Sequence, residues 1–76
     1  MTHIYLEIEE QLSEEEAFTK QPRTLRIEVK DEDEAYQLYE KYKELFSDCN
    51  YVARIHYCHH DEGKPCELKI IEEHKV

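Results

Sequence analysis

His56, Cys58, His59 and His60 stand within five residues of one another, and Cys66 follows six residues later. Imidazole nitrogens and thiolates are the ligands that zinc prefers, and a thiolate beside an imidazole is the simplest nucleophile pair. No other stretch of the 76-residue chain gathers such groups; the rest is largely Glu, Lys and aliphatics. A zinc site here would draw on His56, Cys58, His60 and Cys66, and a small core would gain from the metal. Two features weigh against it. The chain has no Cys-x-x-Cys pair. The stretch also reads as a strand, in which neighbours alternate faces, so His56 and Cys58 share one side and His59 takes the other. Pairing the apolar sides of the following hairpin sets Ile55 and Tyr57 beside Leu68 and Ile70. Cys66 then falls on the core side, away from Cys58. The expectation is a split cluster, with no bound metal and no cofactor.

Catalysis is read the same way. Cys58 and His56 are two residues apart on one face, too far for a direct hydrogen bond on a straight strand. The carboxylates are many but read as scattered on solvated faces, whereas a catalytic carboxylate needs burial or a close partner to shift its pKa. A single glycine, Gly63, rules out a Gly-rich phosphate loop. The reading is a protein with no catalytic residues and no enzymatic activity of its own.

The elements that position these groups follow from periodicity. Residues 3–9 alternate, with Ile4, Leu6 and Ile8 inward, and residues 24–29 repeat this with Leu25, Ile27 and Val29. Between them, Ser13 and Glu16 form a capping box, which predicts a short helical turn over 13–19 with Phe18 tucked into the core. Gln21-Pro22 ends it. Asp31 and Glu34 give a second box. Ala35, Leu38, Tyr39, Tyr42, Leu45 and Phe46 then fall on one face of a helix over about 32–47. Residues 51–59 form a third strand. Gly63 marks a turn, and residues 66–72 form a fourth strand with Cys66, Leu68 and Ile70 inward. From Glu73 the tail is expected to fray.

The order is β-β-α-β-β, with a short helical turn between the first two strands. One long helix covers one face of a four-stranded sheet. The predicted fold is therefore a small two-layer α+β domain over residues 1–76, with a mostly antiparallel sheet. The second and third strands, joined through the helix, run parallel if they share a sheet. The last two form an antiparallel hairpin.

Charge narrows the function classes. The net charge is −9, from 19 acidic and 10 basic residues. That opposes binding to phosphate backbones and to anionic membranes. The start, MTHIYLEIEE, carries no basic leader and no long apolar run. Three cysteines without a framework spacing suggest a reducing compartment, and the expected location is cytoplasmic. The sheet side away from the helix is expected to gather Tyr5, Arg26, Arg54, His56 and Lys69. Tyr and Arg are residues that anchor protein interfaces. The leading expectation is a protein-interaction module, an adaptor, regulator or inhibitor, whose partner is another protein or a second copy. Two alternatives stand beside it. One is the zinc domain above. The other is a nucleic-acid mimic, built on a continuous acidic patch from Glu9, Glu10, Glu14–Glu16 and Asp31–Glu34; the helix dipole already accounts for many of these acids.

Overall fold

The computed structural model describes residues 2–59 and 63–76. The elements are β1 (His3–Glu10), a one-turn helix α1 (Glu14–Ala17), β2 (Thr24–Val29), the main helix α2 (Glu32–Tyr42), β3 (Tyr51–Cys58) and β4 (Glu67–His74). A 3₁₀ turn, Lys43–Phe46, extends α2. The sheet order is β2-β1-β3-β4, and every adjacent pair is antiparallel. β2 and β3 both oppose β1, so they run parallel to each other with β1 between them. This is the expected two-layer α+β domain.

The caps are formed by side chains that satisfy the first turns. Ser13 Oγ accepts the Glu16 N–H at 3.2 Å, and the Glu16 carboxylate accepts the Ser13 N–H at 3.3 Å, closing a full capping box. Asp31 accepts the Glu34 N–H at 2.9 Å, but the Glu34 carboxylate takes the N–H of Lys30, one residue earlier.

The core lies between α2 and the middle of the sheet. Leu6 and Ile8 from β1 and Ala53 and Ile55 from β3 pack under Ala35, Tyr39 and Phe46, with Val29 and Tyr51 at the sides. Leu6, Ile8 and Ile55 are fully buried, each worth roughly 1.5–3 kcal/mol relative to exposure. The Tyr39 and Tyr51 hydroxyls bond each other at 2.9 Å, so neither polar tip is left unmatched in the core. Burial, then that bond, pushes the Tyr39 phenol well above its usual range.

Several expectations need correction. Phe18 does not tuck inward; it is 90% exposed, because α1 is a single turn with no buried residue. Leu45 is also exposed while Phe46 is buried. The last turn tightens to 3₁₀ geometry, and three residues per turn change the phase of the apolar face. The tail does not fray at Glu73. β4 runs to His74, whose ring stacks on Tyr51 at 4.7 Å, and the Val76 N–H bonds the Asn50 side chain at 2.9 Å.

The largest correction concerns β4. Ile55 stands opposite Lys69, and Tyr57 opposite Glu67. Leu68 and Ile70 therefore pair with His56 and Arg54, on the side away from the helix. A one-residue change of register inverts every side chain of a strand. α2 packs over β1, β2 and β3, so no apolar layer above β4 rewards inward aliphatics. Lys69 turns to the helix side instead and bonds Glu32 in the first turn of α2. A bulge lies beyond this point. Arg54 pairs with Ile70 but Ala53 pairs with Glu72, so Ile71 is the extra residue, partly buried against the core.

Glu10 closes the end of β1. Among the described residues it is the one charged side chain that is buried, at 4% exposure. Its carboxylate accepts the Arg23 N–H at 3.0 Å and the Lys20 ammonium at 3.3 Å. Arg23 in turn reaches Asp48 at 2.9 Å and the Leu45 carbonyl at 3.2 Å. The connector between β1 and β2 is thereby tied to the end of the helix layer. The Arg23 backbone bond, aided by Lys20, holds the Glu10 carboxyl below its ordinary 4.5 despite its burial.

Two outcomes follow for stability. Ile55→Ala is expected to cost about 2–5 kcal/mol in urea denaturation, whereas Phe18→Ser should stay within about 0.5 kcal/mol. Because the folded pKa of Glu10 is depressed, its contribution is present above pH 4.5 and is lost as the pH falls through the folded value. Glu10→Gln should therefore lower the melting temperature at neutral pH. The two melting curves should converge in acid, as followed by circular dichroism.

Candidate functional site

The open side of the sheet is organised by Glu7. It sits mid-strand in β1, opposite Arg26 of β2 and Arg54 of β3, so one row crosses three strands. Arg54 Nε donates to its carboxylate at 2.9 Å, and Arg26 Nε lies at 3.3 Å. His56 Nδ1 lies at 3.0 Å from the same carboxylate. Arg54 also donates to Glu9 at 3.0 Å. Burial disfavours the charged Glu7, but the bonds from His56 and Arg54 outweigh it and keep the carboxyl below 4.5. Burial likewise opposes the charged Arg54; Glu9 and Glu7 more than offset it and raise its pKa.

The ionised Glu7 favours a proton on the Nδ1 of His56 that faces it. The His56 Nε2 is buried and makes no hydrogen bond among the described residues. Tyr5 completes the group. The Arg26 guanidinium lies 4.1 Å from the centre of its ring, and the His56 ring meets it edge-on at 6.0 Å.

The structure therefore brings together four of the five anchors read from the sequence: Tyr5, Arg26, Arg54 and His56. Lys69 is on the other side of the sheet, held by Glu32 with Tyr36 beneath it. The inverted face of β4 is the reason. In its place the open side carries Leu68, 59% exposed, and Ile70, 50% exposed. The sequence reading also passed over Glu7. Its position among outward residues of β1 was legible, but the strand order that gives it two arginine neighbours was not.

The His/Cys cluster is arranged differently from the expectation. Tyr57 opposes Glu67, so one step further along the ladder Cys58 faces Cys66. Burial, then the neighbouring Cys58 thiol, pushes the Cys66 thiol up. The two thiols are together on the open side, not split across the sheet. His59 bonds the Thr2 hydroxyl through Nδ1 at 3.1 Å. His60, named for the zinc site, lies outside the described residues. Among the described residues, no group of three or more His, Cys, Asp or Glu side chains is placed to hold a metal ion.

The acidic residues do not form one continuous patch. α1 precedes β2 and Asp31 follows it, so Glu14–Glu16 and Asp31–Glu34 stand at opposite ends of a six-residue strand. Several of these acids are engaged. Glu16 pairs with Lys20, and Glu32 binds Lys69 and the Tyr57 hydroxyl. Burial and the Glu32 contact push the Tyr57 phenol up to about 12.

A hollow of about 310 Å³ lies beside Glu10, lined by Lys20, Arg23, Asp48 and Asn50 among others. Its charges are already paired with each other. It is a dent around the ties that hold the β1–β2 connector. Among the described residues, no helix is long and apolar enough to cross a membrane.

Glu7→Ala leaves Arg54 and His56 half-buried without their shared acceptor. It should destabilise the fold by about 1–3 kcal/mol in urea denaturation. Arg26→Ala, at the exposed end of the row, should cost less than about 1 kcal/mol.

No protein-family model, curated protein or solved structure matches this chain.

Proposed function

We propose that the protein is a non-enzymatic interaction module, acting in the cytoplasm as an adaptor, regulator or inhibitor, and that it docks through β4. One observation carries this reading. Leu68 and Ile70 are exposed side by side on the open face of an edge strand, beyond the cover of the helix. An edge strand offers unpaired backbone groups, and aliphatic side chains beside them reward a partner that pairs there. The neighbouring charges on the open face neutralise one another around Glu7, so their own pairing leaves the aliphatic pair as the adhesive element.

The occupant that fits is a second copy of the chain. Antiparallel pairing of two β4 strands about a two-fold axis at Lys69 sets each Leu68 opposite the Ile70 of the other copy. Four aliphatic side chains then form one cluster, and the sheet grows to eight strands. Such an interface is self-complementary, as a closed dimer requires. The opposed Lys69 residues lie on the helix side, each held by its own Glu32. Each chain carries −9, so long-range repulsion works against association and salt relieves it.

Sedimentation equilibrium of the untagged protein should give a dimer with a dissociation constant on the order of 10 µM, since a small interface binds weakly. Added sodium chloride should tighten it. Ile70→Lys should weaken it at least roughly tenfold, since it buries a charge in the apolar cluster, while the melting temperature of the monomer stays the same. A protein that remains monomeric at millimolar concentration would remove this reading. So would a dimer indifferent to Ile70→Lys.

A further inference from the structure

We propose that Cys58 and Cys66 are a redox-responsive pair that closes to a disulfide across the β3–β4 hairpin. Tyr57 and Glu67 are the last pair of the β3–β4 ladder, and continuing that antiparallel register by one step sets Cys58 opposite Cys66. Opposed residues in such a ladder have Cα atoms about 4.5 or 5.5 Å apart, and a disulfide needs about 4.4–6.8 Å. Alternation along β3 and back from Glu67 puts both side chains on the open face, on the same side as His56 and Leu68. Both are half-buried, open to a small reagent. The third thiol is far from them in the fold. Cys49 lies before the other end of β3, with its Sγ bonded to the Phe46 carbonyl at 3.2 Å.

The oxidant is a low-molecular-weight disulfide. Cys58, as thiolate, attacks one sulfur of the reagent. The S–S bond of the reagent breaks, a mixed disulfide forms on Cys58, and the departing thiolate takes up the proton that Cys58 gave up. Cys66, as thiolate, then attacks the Cys58 sulfur and expels the second small thiolate, which takes the Cys66 proton. The protein loses two electrons and two protons, and the reagent becomes two thiols. Cys66 suits the second step, where proximity replaces intrinsic reactivity. The bond would fasten β4, the strand that the helix does not cover, to β3 at the mouth of the hairpin loop.

The test treats the untagged full chain with oxidised glutathione. Intact mass should fall by two hydrogen atoms, and peptide mapping should join residues 58 and 66. Cys49→Ser should behave as the parent does; Cys58→Ser and Cys66→Ser should each keep a glutathione adduct or stay unmodified. Closing this short loop should raise the melting temperature by roughly 10 °C, reversed by dithiothreitol. Ile70→Lys should oxidise in the same way, so this result stands apart from the dimer. A persistent glutathione adduct on the parent protein would overturn the proposal, as would a chain-to-chain disulfide. An intramolecular bond that lowers the melting temperature would overturn it too, since the native geometry would then not accept it.

Discussion

A short helix over a four-stranded sheet sets the terms for everything else in this protein. α2 has 11 residues, about 16 Å of helix, and a helix with its side chains is only about 10–12 Å across. Four strands at about 4.8 Å spacing make a sheet wider than that. The helix therefore lies over β1, β2 and β3, and the core is the ground they share. β4 is attached mainly through β3, with contacts from the helix such as Lys69 to Glu32 and to the Tyr36 ring. Ile71 at the bulge reaches the core, but Leu68 and Ile70 had no apolar cover to enter, so the ladder register could place them in solvent with little loss of buried area. The exposed aliphatic edge descends from that shortage of cover.

In a chain with 19 acidic side chains, carboxylates also do the positioning. Glu7, Glu10 and Glu32 each collect more than one donor and tie separate parts of the chain together. Glu7 joins β1, β2 and β3 on the open face. Glu10 ties the β1–β2 connector to the strand end. Glu32 joins the start of α2 to Tyr57 and Lys69 on β3 and β4. Glu7, in mid-strand, and Glu32, at a helix start, each stand where two other elements meet. Donors from separate elements then converge on one group, and losing that group would loosen several contacts together. Exposed pairs such as Lys43–Glu40 carry no such role, and ion pairs of that kind contribute little.

Period and capping made the elements legible. Both N-caps, β2 to the residue, and the inward faces of β1 and β3 follow from local pattern alone. What local pattern could not supply was anything set by strand order and register. Glu7 is an ordinary outward glutamate until Arg26 and Arg54 are known to flank it. Lys69 is outward by alternation only if Leu68 and Ile70 are inward, and that assumption fails at an edge strand with no helix above it. The same inversion moved Cys66 from the far side of the sheet to the side of Cys58. One error of parity thus accounts for the misplaced lysine, the two unforeseen aliphatics and the reunited thiols. Leu45 was missed for a separate reason, the change of helical period at the end of α2.

An exposed aliphatic edge strand is also a hazard, because open-ended pairing leads to fibres. The bulge bears on that hazard. Ile71 interrupts the ladder within β4, so a regular pairing surface spans only the part of the strand before it. A partner strand can pair over a short length that contains Leu68 and Ile70, and beyond it the twist and register are wrong. Two copies that pair there about a two-fold axis use up both β4 edges. The edges left to the outside are the β2 strands, whose aliphatic side chains face α2 and whose outward residues are Thr24, Arg26 and Glu28. A third copy would meet charged side chains with no aliphatic row beside them. In the proposed dimer, self-association through β4 would be limited by the same irregularity that ends its pairing, and it would close at two.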